Sequence, residues 1–397
     1  MPTAHTPACF VDVHVLQSVP VSTLNRDDLN AVKTVDYGGV RRTRVSSQSW
    51  KRALREEFQE EIGQYATRTR RICKAVADVL EGEEHGWDRQ QARQAGAHIV
   101  AASGIKFEIV GKPGEDEYEA TTNGLVYLSS ESIEELAVLA TQHPEKIKKK
   151  KIEKKTDKSQ LPAADVQEII RRGNLVIHTF GRMLTEVNEA HVDGAVQVAH
   201  AFTTHRSDVQ VDYFTAVDDL TAAWGETGSG HLSEAEFSAG TFYRFATIDV
   251  RELLRNVGKA HPSDPRDASE DARNVAGAFL SSFIRSLPQA KKNSTAPHTA
   301  PDLVHISVRS DRPLSFAAAF ETPVRSAQGG GHSAASRDQL VEYAQAATTL
   351  MGSDRILADH WAGTGKDVDG LGTRVTSFDA LVQAGVEAAF APLEGGA

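Results

Sequence analysis

The segment VSSQSWKRALREEFQEEI, Val45–Ile62, has the pattern of an amphipathic helix. Ser46 or Ser47 is a suitable N-cap, because a serine hydroxyl accepts a free N–H of the first turn, and the helix is predicted to begin near Gln48. Its large apolar residues recur at every fourth position and form one stripe: Trp50, Leu54, Phe58 and Ile62. Because such a stripe packs against a neighbouring element, Trp50 is predicted to be a core residue.

The opposite face of this helix is basic. Lys51, Arg52 and Arg55 lie near its predicted N-terminus, where the helix dipole also favours phosphate. From Tyr37 to Arg55 there are six basic residues and no acid, although the net charge of the whole chain is −10. A local basic surface can bind a polyanion despite an acidic average. The alternative, a solvated face without a ligand, stays open.

Strand-like segments surround this helix along the chain. Phe10–Leu16 alternates apolar and polar residues and is predicted to be a half-buried strand. Four further strands are predicted at Leu175–Phe180, Ala195–Phe202, Phe242–Val250 and Leu303–Arg309. An apolar helical pattern lies between the last two, at Val275, Phe279, Phe283 and Leu287. With residues 64–175 mostly helical and polar, this order favours an α+β sandwich of the ferredoxin or RRM type with an insertion.

Length and composition exclude several classes of protein. The chain has 397 residues, of which 40% are hydrophobic and 25% charged, as in ordinary globular proteins. Its two cysteines, Cys9 and Cys73, are too few for a disulfide framework and suit a reducing compartment. No signal-peptide pattern is present, and no apolar run approaches the ~20 residues of a membrane helix. A cytoplasmic protein with no membrane partner is expected.

Catalytic motifs are weak. The segment WAGTGK, Trp361–Lys366, superficially resembles a phosphate-binding loop, but His360 replaces its first glycine and Asp367 replaces the magnesium-binding hydroxyl residue. The histidines form neither an HExxH pair nor a zinc spacing. Asp27–Asp28 and Asp218–Asp219 could hold a divalent metal, but adjacent acids more often cap turns. We expect no cofactor and no metal.

Several motifs resemble, in the same order, those of CasC, the backbone family of type I-E CRISPR Cascade complexes within the RAMP group. They are LNRDDLN (Leu24–Asn30), YGGVRRTR (Tyr37–Arg44), VSSQSWKRALR (Val45–Arg55), GRM (Gly181–Met183), VDGA (Val192–Ala195), HAFTTH (His200–His205), YFTAVDDL (Tyr213–Leu220) and EFSAGTFYRF (Glu236–Phe245). Collinear matches over most of a chain are far more specific than one short motif.

The resemblance implies an α+β fold in a right-hand shape. An RRM/ferredoxin-like palm would comprise residues 1–63, 176–205 and 241–397, the last range including C-terminal helices. A helical fingers insertion would comprise residues 64–175, and a thumb loop residues 206–240. The segment between Met183 and Val192 is shorter than in better-known relatives.

The same resemblance implies a backbone subunit that polymerises along CRISPR guide RNA and presents it to target DNA in antiviral defence. In such complexes base pairing supplies the sequence specificity. The implied partners are the guide RNA, target DNA, further copies of the chain, and the large, small, guide-capping and guide-processing subunits of Cascade. The subunit itself is expected not to be an enzyme.

The resemblance also implies particular contacts. Arg26 corresponds to a guide-backbone contact in the first loop, and four positions to guide-phosphate contacts: Ser46, Gln48, Lys51 and Arg55. Hydroxyls, amides and cations are suitable phosphate ligands. Four more match a group that inserts into guide and target at regular intervals: Met183, Tyr213, Phe214 and Leu232. Two adjacent aromatics in a loop require something to cover them, although Phe214 could instead be core.

The lysine run of the fingers matches a region that holds incoming duplex DNA in the family, with Lys148, Lys149, Lys150 and Lys151 as the implied contacts. A solvated helix face is the alternative. A rival for the whole chain is a RAMP-type RNA endonuclease that cuts target RNA with a loop aspartate, here Asp27 or Asp28. A generic single-stranded RNA binder is a third hypothesis, but it leaves the thumb motifs unexplained.

Overall fold

A computed structural model of the chain describes residues 9–216, 231–260 and 265–394. Its strands are β1 (Phe10–Ser22), β2 (Thr34–Tyr37), β3 (Val40–Val45), β4 (Ala66–Thr69), β5 (Phe107–Val110), β6 (Glu119–Thr122), β7 (Val126–Ser129), β8 (Val196–Val198), β9 (Ala201–Thr203), β10 (Gln210–Ala216), β11 (His231–Asp249), β12 (Leu303–Arg309), β13 (Ile356–Gly363) and β14 (Thr373–Arg374).

Its α-helices are α1 (Ser47–Ile62), α2 (Ile72–Glu81), α3 (Arg89–Ser103), α4 (Ser130–Thr141), α5 (Pro144–Lys149), α6 (Ala163–Arg171), α7 (Leu175–Phe180), α8 (Val250–Ala260), α9 (Pro265–Arg285), α10 (Lys292–Thr295), α11 (Ser333–Met351) and α12 (Phe378–Glu394). Within the described ranges, no helix combines the length and the apolar composition that a bilayer crossing requires.

The chain divides into two compact units. A helical unit contains the described residues of Gln59–Ala195 and Glu252–Val275. A sheet unit contains the described residues of Pro2–Phe58, Val196–Arg251 and Ala276–Ala397. The finer division into palm, fingers and thumb stays a prediction.

The sheet unit is built on one ten-stranded sheet. Its main path runs β14-β13-β12-β1-β11-β9-β3-β2, and both β8 and β10 also pair with β11. Strand β1 lies at the centre, antiparallel to β11 on one side and to β12 on the other. Helices α11 and α12 pack on this sheet, against β1, β12 and β13. The predicted α+β class is therefore confirmed.

Strand β1 is buried on both faces, so the prediction of a half-buried strand is wrong. Its valines are buried as expected, but Asp12 and His14 on the opposite face are fully buried too. Phe316 stacks on His14 with a ring-centroid distance of 4.0 Å. The backbone N–H of Leu314 donates to Asp12 Oδ2 at 2.7 Å. A segment distant in sequence thus covers the polar face, which alternation within β1 cannot reveal.

The predicted strand at Leu175–Phe180 is also wrong, because these residues form α7. The Asn174 side chain accepts the N–H of Ile177 at 3.3 Å and caps the helix. Gly181 ends it at φ 80°, a left-handed conformation that suits glycine. A short apolar run fits either a strand or a buried helix. By contrast, the strand at Leu303–Arg309 is confirmed as β12.

The helical unit has its own core. Helices α2, α3, α4 and α6 pack together beside two small sheets, β4–β7 and β5–β6. Helix α2 approaches α3 so closely that a Cβ at Gly96 would lie 2.2 Å from the Cys73 carbonyl oxygen. A glycine is therefore required at this crossing.

Asp12 should make the stability of the sheet unit depend on pH. Burial raises the pKa of its carboxyl to about 7, against smaller lowering effects of Thr247, the Leu314 N–H and Arg309. The folded chain therefore binds a proton at a pH where the unfolded chain has lost it, and the stability that this proton contributes is lost as pH rises through about 7.

We expect Asp12→Asn to gain about 2–3 kcal/mol of unfolding free energy relative to the parent between pH 5 and pH 8. Urea denaturation at both pH values measures the difference, with Asp36→Asn on the exposed part of β2 as the matched control. Parallel pH curves for parent and Asp12→Asn would contradict this assignment.

Candidate nucleic-acid interface

The N-terminus of α1 is capped by side chains of the sheet unit. Ser46 Oγ accepts the N–H of Ser49 at 3.2 Å, which confirms the predicted N-cap. The N–H of Ser47 donates to His200 Nδ1 at 3.0 Å. Burial, reinforced by Arg44 and Lys33, lowers the pKa of His200 and keeps its ring neutral. Because the N–H groups of Ser49 and Ser47 already have acceptors, a phosphate at this helix terminus would be bound mainly by side chains.

The side chains of α1 differ in their availability. Gln48 is exposed, whereas Lys51 and Arg55 are half-buried. Arg52 is exposed and forms an ion pair with Glu56 at 3.1 Å. One cation of the basic stretch, Arg42, is fully buried. A count of basic residues between Tyr37 and Arg55 therefore overstates the positive charge that this surface presents.

The loop that carries Arg26 is tied to the start of α1. Asn25 Oδ1 accepts the N–H of Ser46 at 2.9 Å, so the two predicted guide contacts, Arg26 and Ser46, lie on joined segments. Arg26 is exposed, and its guanidinium donates to Asn30 Oδ1. Glu236 of β11 anchors the far end of the loop by accepting the N–H of Val32 at 2.7 Å.

Sequence reasoning assigned no role to three residues that shape this surface, namely Asn25, His200 and Glu236. Each lies inside one of the motifs quoted above, so their presence was visible. Each of them makes its hydrogen bond with a residue that is distant in sequence. The spacing of residues within a motif cannot predict such a contact. Composition alone could not have identified them.

Trp50 is a core residue, as predicted, with 1% of its surface exposed. The guanidinium of Arg244 on β11 lies over its ring at 4.2 Å from the centroid. The same guanidinium lies 4.7 Å from the ring centroid of Phe283 on α9. Cation–π contacts of this kind attach α1 to the sheet and leave the indole no part in binding nucleic acid.

The predicted thumb loop contains a β-hairpin instead. Strand β10 pairs with β11 in continuous register from Gln210 opposite Phe237 to Ala216 opposite His231. Aromatic and β-branched residues favour this extended pairing, which the glycine-rich and acidic surroundings had concealed. The residues 217–230, including Asp218–Asp219, lie outside the described part of the chain.

Two of the predicted wedge residues are exposed on this hairpin. Tyr213 has 68% and Phe214 has 46% of its surface exposed. Because successive side chains of a strand point to opposite faces, these rings belong to opposite faces of the hairpin. Phe214 is therefore not core, but the two rings also do not form one continuous platform. Leu232 pairs with Thr215 in the ladder, and its side chain lies outside the described residues.

Met183 belongs to the helical unit and has 84% of its surface exposed. The preceding Arg182 is buried and fixes the base of its loop. Arg182 donates to the carbonyl oxygens of Ala190 at 2.8 Å and Arg172 at 3.0 Å, and its backbone pairs with Val192. Burial lowers the pKa of Arg182 to about 10. The hydrogen bonds of Arg182 thus fix the base of the loop, and the Met183 thioether is exposed to solvent.

The lysine run forms α5 and the segment after it. Lys148, Lys149 and Lys151 are exposed, while Lys150 is half-buried and donates to the Lys158 carbonyl oxygen at 3.0 Å. His98 of α3 contacts the Lys150 carbonyl oxygen at 2.8 Å. Three of the four predicted DNA contacts are therefore exposed to solvent. This exposure fits both a DNA-binding surface and a solvated helix face without a ligand.

Asp27 has a turn-capping role. One of its carboxylate oxygens, Oδ1, accepts the N–H groups of Leu29 and Ala31, both at 2.9 Å. Asp28 is exposed. Among the described residues, no group of three or more His, Cys, Asp or Glu residues could hold a metal ion.

The fold defines an α+β protein with a central, mainly antiparallel sheet. The chain belongs to the CT1975-like protein family, whose model matches residues 11–384. A comparison with curated proteins finds no match.

Two solved structures contain similar chains. One, described as a CRISPR RNA-guided surveillance complex, pre-nicking, has a chain with 42% identity and a TM-score of 0.85, covering 96% of this chain and 100% of that one. Another, described as a CRISPR RNA-guided surveillance complex, has 36% identity and a TM-score of 0.75, with coverages of 96% and 99%. This likeness confirms the predicted RRM-like α+β fold.

The basic side chains of α1 provide the first test of the interface. We expect Lys51→Ala with Arg55→Ala to weaken guide-RNA binding and to lower the slope of log affinity against log salt by about one to two units, at ~0.7 per phosphate contact. Filter binding over a salt series measures the slope. Arg52→Ala on the same helix is the control and should change it little, because it removes a positive charge outside the predicted phosphate contacts. An unchanged slope in the double variant would remove the phosphate assignment.

The two hairpin aromatics provide a second test. Because their rings lie on opposite faces, Tyr213→Ala and Phe214→Ala should weaken target-DNA binding additively, each by about 1–3 kcal/mol if its ring stacks on a base. Val211→Ala is the control, since Val211 shares the Tyr213 face and offers no ring. A double variant no weaker than either single variant would show that both residues serve one shared contact.

Proposed function

We propose that this chain is a backbone subunit of a type I-E Cascade complex, a cytoplasmic RNA-guided system of antiviral defence. Several copies polymerise along one CRISPR guide RNA and hold it ready to pair with target DNA. The observation that carries the proposal is the 42% identity, over 96% of this chain, to a chain of a CRISPR RNA-guided surveillance complex. The other partners are the large, small, guide-capping and guide-processing subunits.

The geometry supports binding of a nucleic-acid backbone by the sheet unit. Arg26 lies on a loop that Asn25 joins to the start of α1, where Gln48 is exposed. These groups donate hydrogen bonds or carry positive charge, and the N-cap residue Ser46 lies beside them. Contacts to phosphate and sugar position a nucleic acid without reading its sequence, which is what a scaffold for an arbitrary guide requires.

The proposed role is structural and not catalytic. The rival RNA endonuclease would use Asp27 or Asp28 as its loop aspartate. Two backbone N–H groups engage one carboxylate oxygen of Asp27 at 2.9 Å, which supports a role in shaping the turn. Among the described residues no group of acidic, histidine or cysteine side chains could hold a metal ion, so no observation favours the endonuclease.

The test is the nucleic acid that copurifies with the chain when it is expressed with its operon neighbours and a CRISPR array. We expect RNA of one discrete length that carries the array sequence, and both guide and target strands should stay intact in magnesium or manganese. RNA of mixed length and sequence would overturn the scaffold in favour of a generic RNA binder. Target cutting that Asp27→Ala or Asp28→Ala abolishes would establish the endonuclease.

A further inference from the structure

His200 lies in the loop between β8 and β9, beside the start of α1. Strands β9 and β3 pair as far as Ala201 opposite Val45. Because these strands are antiparallel, His200 comes next to Ser46, the N-cap residue of α1 and one of the predicted guide-phosphate contacts. The ring of His200 is exposed. An imidazole with an open edge therefore lies at the candidate interface.

Two hydrogen bonds decide where the His200 ring carries its hydrogen. The backbone N–H of Ser47 donates to Nδ1 at 3.0 Å, and a guanidinium nitrogen of Arg44 lies 3.2 Å from the same atom. Neither of these groups can accept a hydrogen bond, so Nδ1 is the unprotonated nitrogen of the ring. A neutral imidazole then carries its hydrogen on Nε2. The fold thus fixes one tautomer, with a donor at Nε2.

This Nε2–H group is available to a ligand. Both hydrogen bonds of the His200 ring are made by Nδ1, and Nε2–H has no acceptor among the residues that the structure describes. Burial, together with the charges of Arg44 and Lys33, lowers the pKa of the ring and keeps it neutral. A fixed neutral donor with two cations beside it is suited to an anionic oxygen.

We propose that His200 is a further guide contact, in which Nε2–H donates a hydrogen bond to a phosphate oxygen of the guide RNA beside Ser46 and Gln48. The inference rests on the proposed function for the identity of this ligand. The ring then has two roles, because Nδ1 caps α1 while Nε2 binds the guide. A phosphate suits this position better than a neutral 2′-hydroxyl, since Arg44 and Lys33 stabilise its charge.

The two roles of His200 can be separated by substitution. The amide oxygen of asparagine has the same bond separation from Cβ as Nδ1 of histidine, and the amide nitrogen of glutamine has that of Nε2. His200→Asn therefore keeps an acceptor for the Ser47 N–H and removes the donor to the guide, whereas His200→Gln does the reverse. His298→Asn is the matched control, since His298 is an exposed histidine of the sheet unit outside the predicted contacts.

The probe is a synthetic RNA of guide sequence, measured by filter binding to the purified full chain, with the melting temperature of each variant as the test of folding. We expect His200→Asn to weaken guide binding about three- to tenfold relative to His298→Asn, which is what one hydrogen bond contributes, with little change in melting temperature. His200→Gln should bind the guide more tightly than His200→Asn although it melts lower, because α1 loses part of its cap. Equal affinities of the two His200 variants, or the reverse order, would overturn the contact and leave His200 as a cap.

A salt series tests the charge of the bound ring. A neutral donor releases no counterion, so the slope of log affinity against log salt in His200→Asn should equal that of the unmodified chain. The slope of the variant that lacks Lys51 and Arg55 is expected to be lower, which shows that the assay detects a lost cation. A lower slope in His200→Asn would mean that the bound ring is an imidazolium, and would overturn the neutral donor.

A DNA strand of guide sequence tests which oxygen accepts the bond. His200→Asn should weaken binding of this strand by the same factor as binding of the RNA, because both strands have phosphates. Loss of the effect on DNA would overturn the phosphate in favour of a ribose 2′-hydroxyl. The proposed function fails on a different result, the absence of a discrete guide from the unmodified chain purified with its operon neighbours.

Discussion

The buried guanidinium of Arg244 holds the candidate interface on the sheet. It lies between the rings of Trp50 and Phe283, and it donates to Gln17 Oε1 at 2.5 Å and to the Phe283 carbonyl oxygen. Burial lowers its pKa to about 9, with a smaller opposing effect of Glu57. A buried cation is tolerated only when hydrogen bonds and favourable charge contacts replace its water. Here they come from β1, α1 and α9 at once, so α1 has one defined position on the sheet.

Two other buried arginines bind carbonyl oxygens of the chain. Arg42 donates to those of Thr203 and Phe320, both at 2.9 Å, and Arg182 holds the loop of Met183 in the same way. Because a guanidinium presents five donors in a fixed plane, one side chain fixes several loop segments together. These arginines stabilise the surfaces on which the exposed residues lie, and they contribute little charge to those surfaces. Net charge and local counts of basic residues are therefore poor guides to where a polyanion binds.

Local periodicity predicted where some elements lie. The stripe of Trp50, Leu54 and Phe58 on α1 is buried, and Leu303–Arg309 forms β12. It did not predict elements that distant contacts define. Asp12 and His14 are buried by a segment some 300 residues further along the chain, as the bond from the Leu314 N–H to Asp12 shows. The six residues Leu175–Phe180 form a helix that the Asn174 side chain caps. The resemblance named the candidate residues, but not the supports on which they depend, Asn25, His200 and Glu236.

The hairpin that carries Tyr213 and Phe214 depends on the central sheet for its order. Strand β11 pairs with β1 as far as Ser238 opposite Ser22, and beyond that point its described pairing is with β10 alone. A two-stranded ribbon with both faces exposed is marginally stable by itself. Its exposed rings add apolar surface that water does not favour. Both costs would fall if a ligand covered the ribbon. A hairpin with one aromatic ring on each face offers a contact surface on both sides. Such a hairpin is better suited to insertion between two neighbouring segments of a ligand than to lying flat on a single surface.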